Sequence, residues 1–170
     1  MSQTSVSEFR NAYVQGQMHN PSIADTEQRI VDDSTNIVPG DVVVQGTADD
    51  DVKGAVAAFT KATFQGIAIW SGQAKEKALS TGVNTYADNE PIPILKRGII
   101  AVLLGGTVAK GGTGFFVHTA AGASALHTWR ADLDTDKASE VPGVYLSDGV
   151  SGDIVLFRLS VDAGIGSILT

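Results

Sequence analysis

The sequence contains no cysteine, and this absence removes several kinds of chemistry at once. Such a chain forms no disulfide framework, ligates no zinc or iron–sulfur cluster through cysteine and has no thiol nucleophile. The absence agrees with assembly in a reducing cytoplasm. Carboxylates, hydroxyls and three histidines are left to carry any chemistry in a chain of 170 residues. A domain of about this length buries a real core without a covalent cross-link.

Charged and aromatic residues are also sparse. Charged residues make up 18% of the chain and aromatic residues 6%, against about 25% charged residues in an average soluble domain. Asp and Glu outnumber Lys and Arg by 19 to 12, which disfavours a sequence-independent grip on nucleic acid. The N-terminus has no signal-peptide pattern, and the longest apolar run, residues 98–108, is too short to cross a bilayer. We therefore expect no nucleic-acid partner and no membrane partner.

The first 35 residues differ in composition from the rest. They are rich in Gln, Asn, Ser and Thr, and their isolated apolar residues keep no period. We predict an extended N-terminal arm over residues 1–35 and a β-rich domain over residues 36–170. Phe9, Tyr13 and Met18 are costly to leave in water, so they are expected to lie on a surface of this protein or of a neighbour. A disordered leader is the alternative.

The rest of the chain has a sequence pattern typical of short strands separated by turns. Pro39 and Gly40 occupy the positions that a type II turn prefers. Strands are predicted over residues 42–44, 65–71, 90–95, 99–104, 115–119, 143–147 and 153–161. Pro91 and Pro93 predict an edge position for their strand, which residues 96–98 interrupt. These features predict an all-β fold, a compact sandwich or barrel of short, mostly antiparallel strands, with an extended N-terminal arm.

Two segments have the outline of ligand-binding motifs and depart from them at decisive positions. In the glycine-rich stretch 105–114, Gly112 stands where a phosphate loop needs Lys. Asp132, Asp134 and Asp136 alternate as at the start of a calcium loop, but Lys137 stands where that loop needs Gly. We expect a β-turn in the first segment and a solvated acidic loop in the second, with adventitious calcium left open there.

The three histidines, His19, His118 and His127, are far apart and form no pair at metal-ligand spacing. No serine lies in a nucleophile elbow. The sequence therefore predicts no catalytic, cofactor-binding or metal-binding residues, no cofactor and no enzymatic activity.

The order of the segments resembles that of the capsid cement, or decoration, proteins of tailed bacteriophages. The resemblance runs from Ile37 to Val161 and follows a polar N-terminal segment. Its motifs are Val38-Pro-Gly-Asp-Val-Val-Val-Gln-Gly46, Gly66-Ile-Ala-Ile-Trp70, Glu90-Pro-Ile-Pro-Ile-Leu-Lys-Arg-Gly-Ile-Ile-Ala-Val102, Phe115-Phe-Val-His118 and Ile154-Val-Leu-Phe-Arg-Leu-Ser-Val161.

The resemblance implies a structural, non-catalytic protein on the outside of an icosahedral head, assembled in the cytoplasm of the host bacterium. There it would bridge neighbouring copies of the major capsid protein against the pressure of packaged DNA. It would also associate with itself, as a trimer at local three-fold axes in many phages. A homotrimer is therefore the favoured expectation, with a dimer as the alternative. On this reading Phe9, Tyr13, Met18 and Ile23 contact the capsid or a neighbour, and the region of Trp129 mediates self-association.

Two other functions stay open from the sequence. The first is a different virion component, such as a head fibre, a tail part or a receptor-binding module, although no internal repeat points to a fibre. The second is a small β-barrel enzyme or ligand-binding protein, which would need clustered histidine and carboxylate ligands.

Overall fold

The computed structural model describes residues 13–32, 37–60, 62–71, 75–76, 84–120 and 125–160. Within them the chain forms twelve β-strands and one 3-10 helix, Pro21–Ile23. The strands are β1 (Met18–His19), β2 (Asp25–Val31), β3 (Val42–Gln45), β4 (Asp51–Gly54), β5 (Phe64–Ala68), β6 (Lys75–Glu76), β7 (Asn84–Thr85), β8 (Pro91–Leu103), β9 (Thr113–Val117), β10 (Trp129–Arg130), β11 (Ala138–Tyr145) and β12 (Ile154–Leu159). The predicted all-β fold is confirmed.

Five strands close into a small barrel. Their order is β8-β2-β4-β3-β5, and β5 pairs again with β8. All these pairs are antiparallel except β2 with β4, where Ile30 lies opposite Asp51. One face of each strand fills the barrel: Val31, Val43, Val52, Ala68, Ile92 and Ile94 form one cluster with Ile37 and Tyr86. Each of the five described barrel strands therefore has a neighbour on both sides, although β2 meets β4 only at Ile30 and Val31.

A second antiparallel sheet continues from the same long strand. Beyond Arg97, β8 pairs with β12, and the sheet runs on through β11 and β9 to β10. The register shifts where Asp25 lies opposite Arg97. Gly98 follows with φ 140°, and a Cβ there would come within 3.2 Å of Ala24. The bulge therefore lets one strand of 13 residues serve both parts of the fold.

Two expectations about β8 are wrong. Residues 96–98 do not interrupt the strand, because the bulge carries it through. Nor is Pro93 at an edge: it lies opposite Gln28 of β2, and its carbonyl oxygen accepts a hydrogen bond of 2.9 Å from Ile69 N on the other side. A proline lacks only the donor, so a strand can keep partners on both sides where the carbonyl is what the neighbour needs.

The main core lies between the second sheet and the outer faces of three barrel strands. Val42 and Val44 on β3, with Ile67 and Leu95, pack against the aromatic side chains of the second sheet. The rings of Trp129 and Phe157 lie 4.8 Å apart between centroids. Successive residues of β3 thus face opposite cores, as the alternation of a strand requires.

The described part of the predicted arm lies in the sheets of its own chain. β1 pairs with β8, with Met18 opposite Ile100, and β2 is one of the five barrel strands. Just before β1, Gly16 N donates to Ala101 O at 2.8 Å, and Gly16 O accepts from Trp70 N at 2.8 Å. The predicted boundary between residues 35 and 36 therefore divides the barrel.

Candidate interaction site

The residues predicted to contact a neighbour have different surroundings. The Tyr13 hydroxyl lies 2.5 Å from His19 Nδ1, and Met18 is half-buried against the main core. Ile23 is 62% exposed at the end of the 3-10 helix. Phe9 lies outside the described residues. Of the predicted residues that the structure describes, Ile23 is thus the most exposed.

Trp129 is fully buried in the single chain. Its indole Nε1 donates to Gly40 O at 2.9 Å, which ties the second sheet to the turn before β3. The side chain itself has no surface for another subunit. Self-association through the Trp129 region stays a prediction, which exposed neighbours such as Leu126 would have to carry.

A groove lies where β12 and β5 separate from β8. Its volume is about 1180 Å³, and it is lined by residues of β2, β8 and β12 with Ile23 at its margin. Four cationic side chains line it: Arg29, Lys96, Arg97 and Arg158. We call it the basic groove.

Hydrogen bonds and ion pairs order one side of the basic groove. Glu27 Oε1 lies 2.7 Å from Arg29 Nε, and Glu27 Oε2 lies 3.1 Å from Lys96 Nζ. Partial burial raises the pKa of Glu27, but the hydrogen bonds from Lys96 and Arg29 outweigh it and hold that pKa below its ordinary value. The carboxylate therefore stays ionised and fixes both cations along the wall.

An acidic loop adjoins the basic groove. It comprises residues 47–51, in which Asp49 and Asp50 are exposed. Arg29 Nη1 donates to Asp49 O, and Gln45 Nε2 donates to Ala48 O at 2.6 Å. Because Arg29 and Gln45 also line the groove, the loop and the groove form one continuous patch.

A second depression, the apolar hollow, lies beside the turn at residues 38–41. Its volume is about 690 Å³, and Val56 and Leu126 line it with exposed side chains. At its wall the buried Asp41 accepts a 2.8 Å hydrogen bond from Val38 N and lies 2.7 Å from His127 Nδ1. The hydrogen bond to Asp41 raises the pKa of His127.

The Asp132 to Asp136 region is internally paired. Arg130 Nε lies 2.7 Å from Asp132 Oδ1, and Arg130 Nη1 lies 2.8 Å from Asp134 Oδ2. The Arg130 guanidinium thus pairs with the Asp132 and Asp134 carboxylates, two of the three that a calcium ion would need as ligands. In the described ranges, no group of three or more ionisable side chains is arranged to hold a metal ion. In the same ranges, no helix has the length and apolar character of a membrane span.

Comparison with known proteins gives the family. A model of the structural cement protein family, described by E217 gp24 and Pam3 gp6, matches residues 2–160. The chain belongs to this phage structural cement family. Its role is therefore structural, in the phage capsid, and it is a component of the virion.

Two solved structures are compared with this cement family member, and the first of them shares its fold. A chain from the capsid of Myoviridae phage XM1 superposes with a TM-score of 0.67 at 12% identity, covering 95% of this chain and 98% of that one. The N base of head fiber gp8.5 of bacteriophage phi29 gives a TM-score of 0.41 at 11% identity, covering 81% of this chain and 95% of that one. No curated protein matches the sequence.

Sequence reasoning about this cement family member missed the basic groove and the Asp41–His127 contact. The four cations of the groove come from three strands far apart in the chain, so no local motif joins them. The one visible signal was the Lys96-Arg97 pair inside an apolar run. Asp41 and His127 lie 86 positions apart, and only the fold brings them together.

Proposed function

We propose that this protein cements the outer surface of a phage head. It binds neighbouring major capsid protein subunits and stabilises the shell against the pressure of packaged DNA. The family match over residues 2–160 carries the proposal, because it extends across both the barrel and the second sheet.

The exposed turn at Ile23 supports a contact with the shell. An isoleucine with 62% of its surface exposed favours burial against a partner. Phe9, Tyr13 and Met18 belong to the same N-terminal segment and remain part of the proposed contact. The protein acts as a symmetric oligomer, for which the trimer and the dimer are the two candidates.

The test uses heads assembled from the major capsid protein without this chain. Added protein should co-sediment with the heads, appear as density on their outer surface in cryo-electron micrographs, and raise the temperature at which they break open. Heat-unfolded protein serves as the control. Heads that bind no protein, or that bind it with no gain in thermal resistance, would contradict the proposal.

A further inference from the structure

The basic groove carries an excess of positive charge, which comes from Arg97 and Arg158. The groove lining has four cationic side chains against the two carboxylates Asp25 and Glu27. Glu27 is engaged by Arg29 and Lys96. Arg97 and Arg158 are both exposed, and no carboxylate among the described residues lies within ion-pair distance of either.

The two arginines lie close together on neighbouring strands. Arg158 of β12 is in register with Ile99 of β8, two positions after Arg97. A pair of adjacent guanidinium groups fits carboxylates well, because each offers several donors in a fixed planar arrangement. The groove is thus suited to an acidic segment of a polypeptide.

This chain itself presents such a segment at the end of the same groove. The Asp50 side chain is 97% exposed, and Asp49 is exposed beside it. The only ion-pair contact of Asp50 among the described residues is with Arg29, at 3.9 Å. The acidic loop is held by Arg29 and Gln45, which donate to its backbone, and by Asp51 Oδ2, which accepts from Ala48 N at 3.3 Å. The exposed carboxylates of Asp49 and Asp50 take no part in these hydrogen bonds.

We propose that the basic groove receives the acidic loop of a second copy of this chain, so that two copies pair about a two-fold axis. A two-fold interface presents the same patch on both subunits, and the patch must complement itself. A patch with a basic groove at one end and an acidic loop at the other meets this condition. The side-by-side placement favours a two-fold pair, because a head-to-tail ring of three needs the groove and the loop on two different sides of the subunit.

The net charge of −7 opposes association over long distances but not at contact. At about 0.15 M ionic strength the Debye length is about 8 Å, so repulsion between the two bodies is largely screened. Groove and loop charges that meet directly are screened less, and such complementarity selects the partner and its register.

The test measures the molar mass of the full chain by size-exclusion chromatography with light scattering, without heads. A groove variant carries Arg97→Glu and Arg158→Glu, and a loop variant carries Asp49→Lys and Asp50→Lys. Each variant should be a monomer, with a dissociation constant raised about tenfold or more, because groove and loop then have the same sign. An equimolar mixture of the two variants should recover the dimer, since both contacts become attractive again.

Lys110→Glu and Glu140→Lys are charge reversals on exposed side chains outside the patch and should leave the wild-type dimer intact. Far-UV circular dichroism checks that each variant folds. A monomeric wild type at about 0.15 M salt would overturn the proposal, as would a trimer, a dimer that both variants retain, or a mixture that stays monomeric. In the separate co-sedimentation assay with heads, a groove variant that stays dimeric but no longer binds heads would overturn the proposal and assign the groove to the capsid. The proposal rests on the self-association part of the proposed function, and its failure leaves head binding to be judged separately.

Discussion

At the scale of single residues, Ile23 and Val150 form a matched pair for testing contact with the head. Both are exposed, at 62% and 55%, and both lie outside the core clusters. Ile23→Asp should lower head affinity about tenfold or more, since it places a charge in an apolar contact. Neither substitution should change the free energy of unfolding by more than about 0.5 kcal/mol.

Co-sedimentation of each variant with heads, over a range of protein concentrations, measures this difference. Val150→Asp should bind as the wild type does. Equal binding by the two variants would show that Ile23 does not contact the head.

The contact between His127 and Asp41 predicts that the stability of the fold depends on pH. Its pKa is raised by the hydrogen bond to Asp41, so the contact contributes fully below the ordinary histidine pKa of about 6.5. The contribution is lost as the pH rises through the higher pKa of the folded state. Because the His127 side chain is 41% exposed, solvent limits the effect to about 1 kcal/mol or less.

Urea unfolding at about pH 6 and pH 8.5 should show the wild type losing stability between the two. His127→Gln should flatten this part of the profile. An unchanged slope in the variant would mean that other groups set it.

At the scale of elements, β2 is the test of where the folded body begins. Its residues face β8 in six register pairs, and Val31 is fully buried in the barrel cluster. Removing residues 1–35 should open the barrel between β4 and β8 and abolish cooperative unfolding. Removing residues 1–12 leaves every described strand in place and should preserve it.

Far-UV circular dichroism during thermal unfolding distinguishes the two truncations. A shorter chain of residues 36–170 that unfolded cooperatively would support the boundary expected from the sequence.

The elements differ in how well the sequence predicts them, and the reason is burial. β3, β5, β9 and β12 lie within or overlap the predicted strands, because their apolar or β-branched residues face a core. In β2 only Val31 is buried, while Glu27 and Arg29 are held by ion pairs and Ile30 is 39% exposed. A strand held by backbone pairing and charge has no hydrophobic period to detect. The basic groove could not be predicted from the sequence for a related reason, because only strand pairing brings its charged side chains together.

At the scale of the whole molecule, β8 makes the barrel and the second sheet one unfolding unit. Ile94 lies in the barrel cluster and Ile100 in the main core, and both are fully buried on this strand. Ile94→Ala and Ile100→Ala should each cost about 2–5 kcal/mol. Each should lower the midpoint of a single unfolding transition, which circular dichroism and the fluorescence of the two tryptophans, Trp70 and Trp129, should report equally.

Two separate transitions, or a change in one probe without the other, would show that the barrel and the second sheet unfold independently.

The closed barrel and the short outer strands also bear on how this β-rich chain avoids aggregation. An open sheet edge templates the addition of foreign strands. Each described barrel strand has a neighbour on both sides for at least part of its length, and the outer strands of the second sheet, β1 and β10, have two residues each. β10 is further covered by a bridge from Trp129 to Leu104. Association between copies is thereby left to side chains, whose charges can discriminate between partners, while indiscriminate backbone pairing has almost no template.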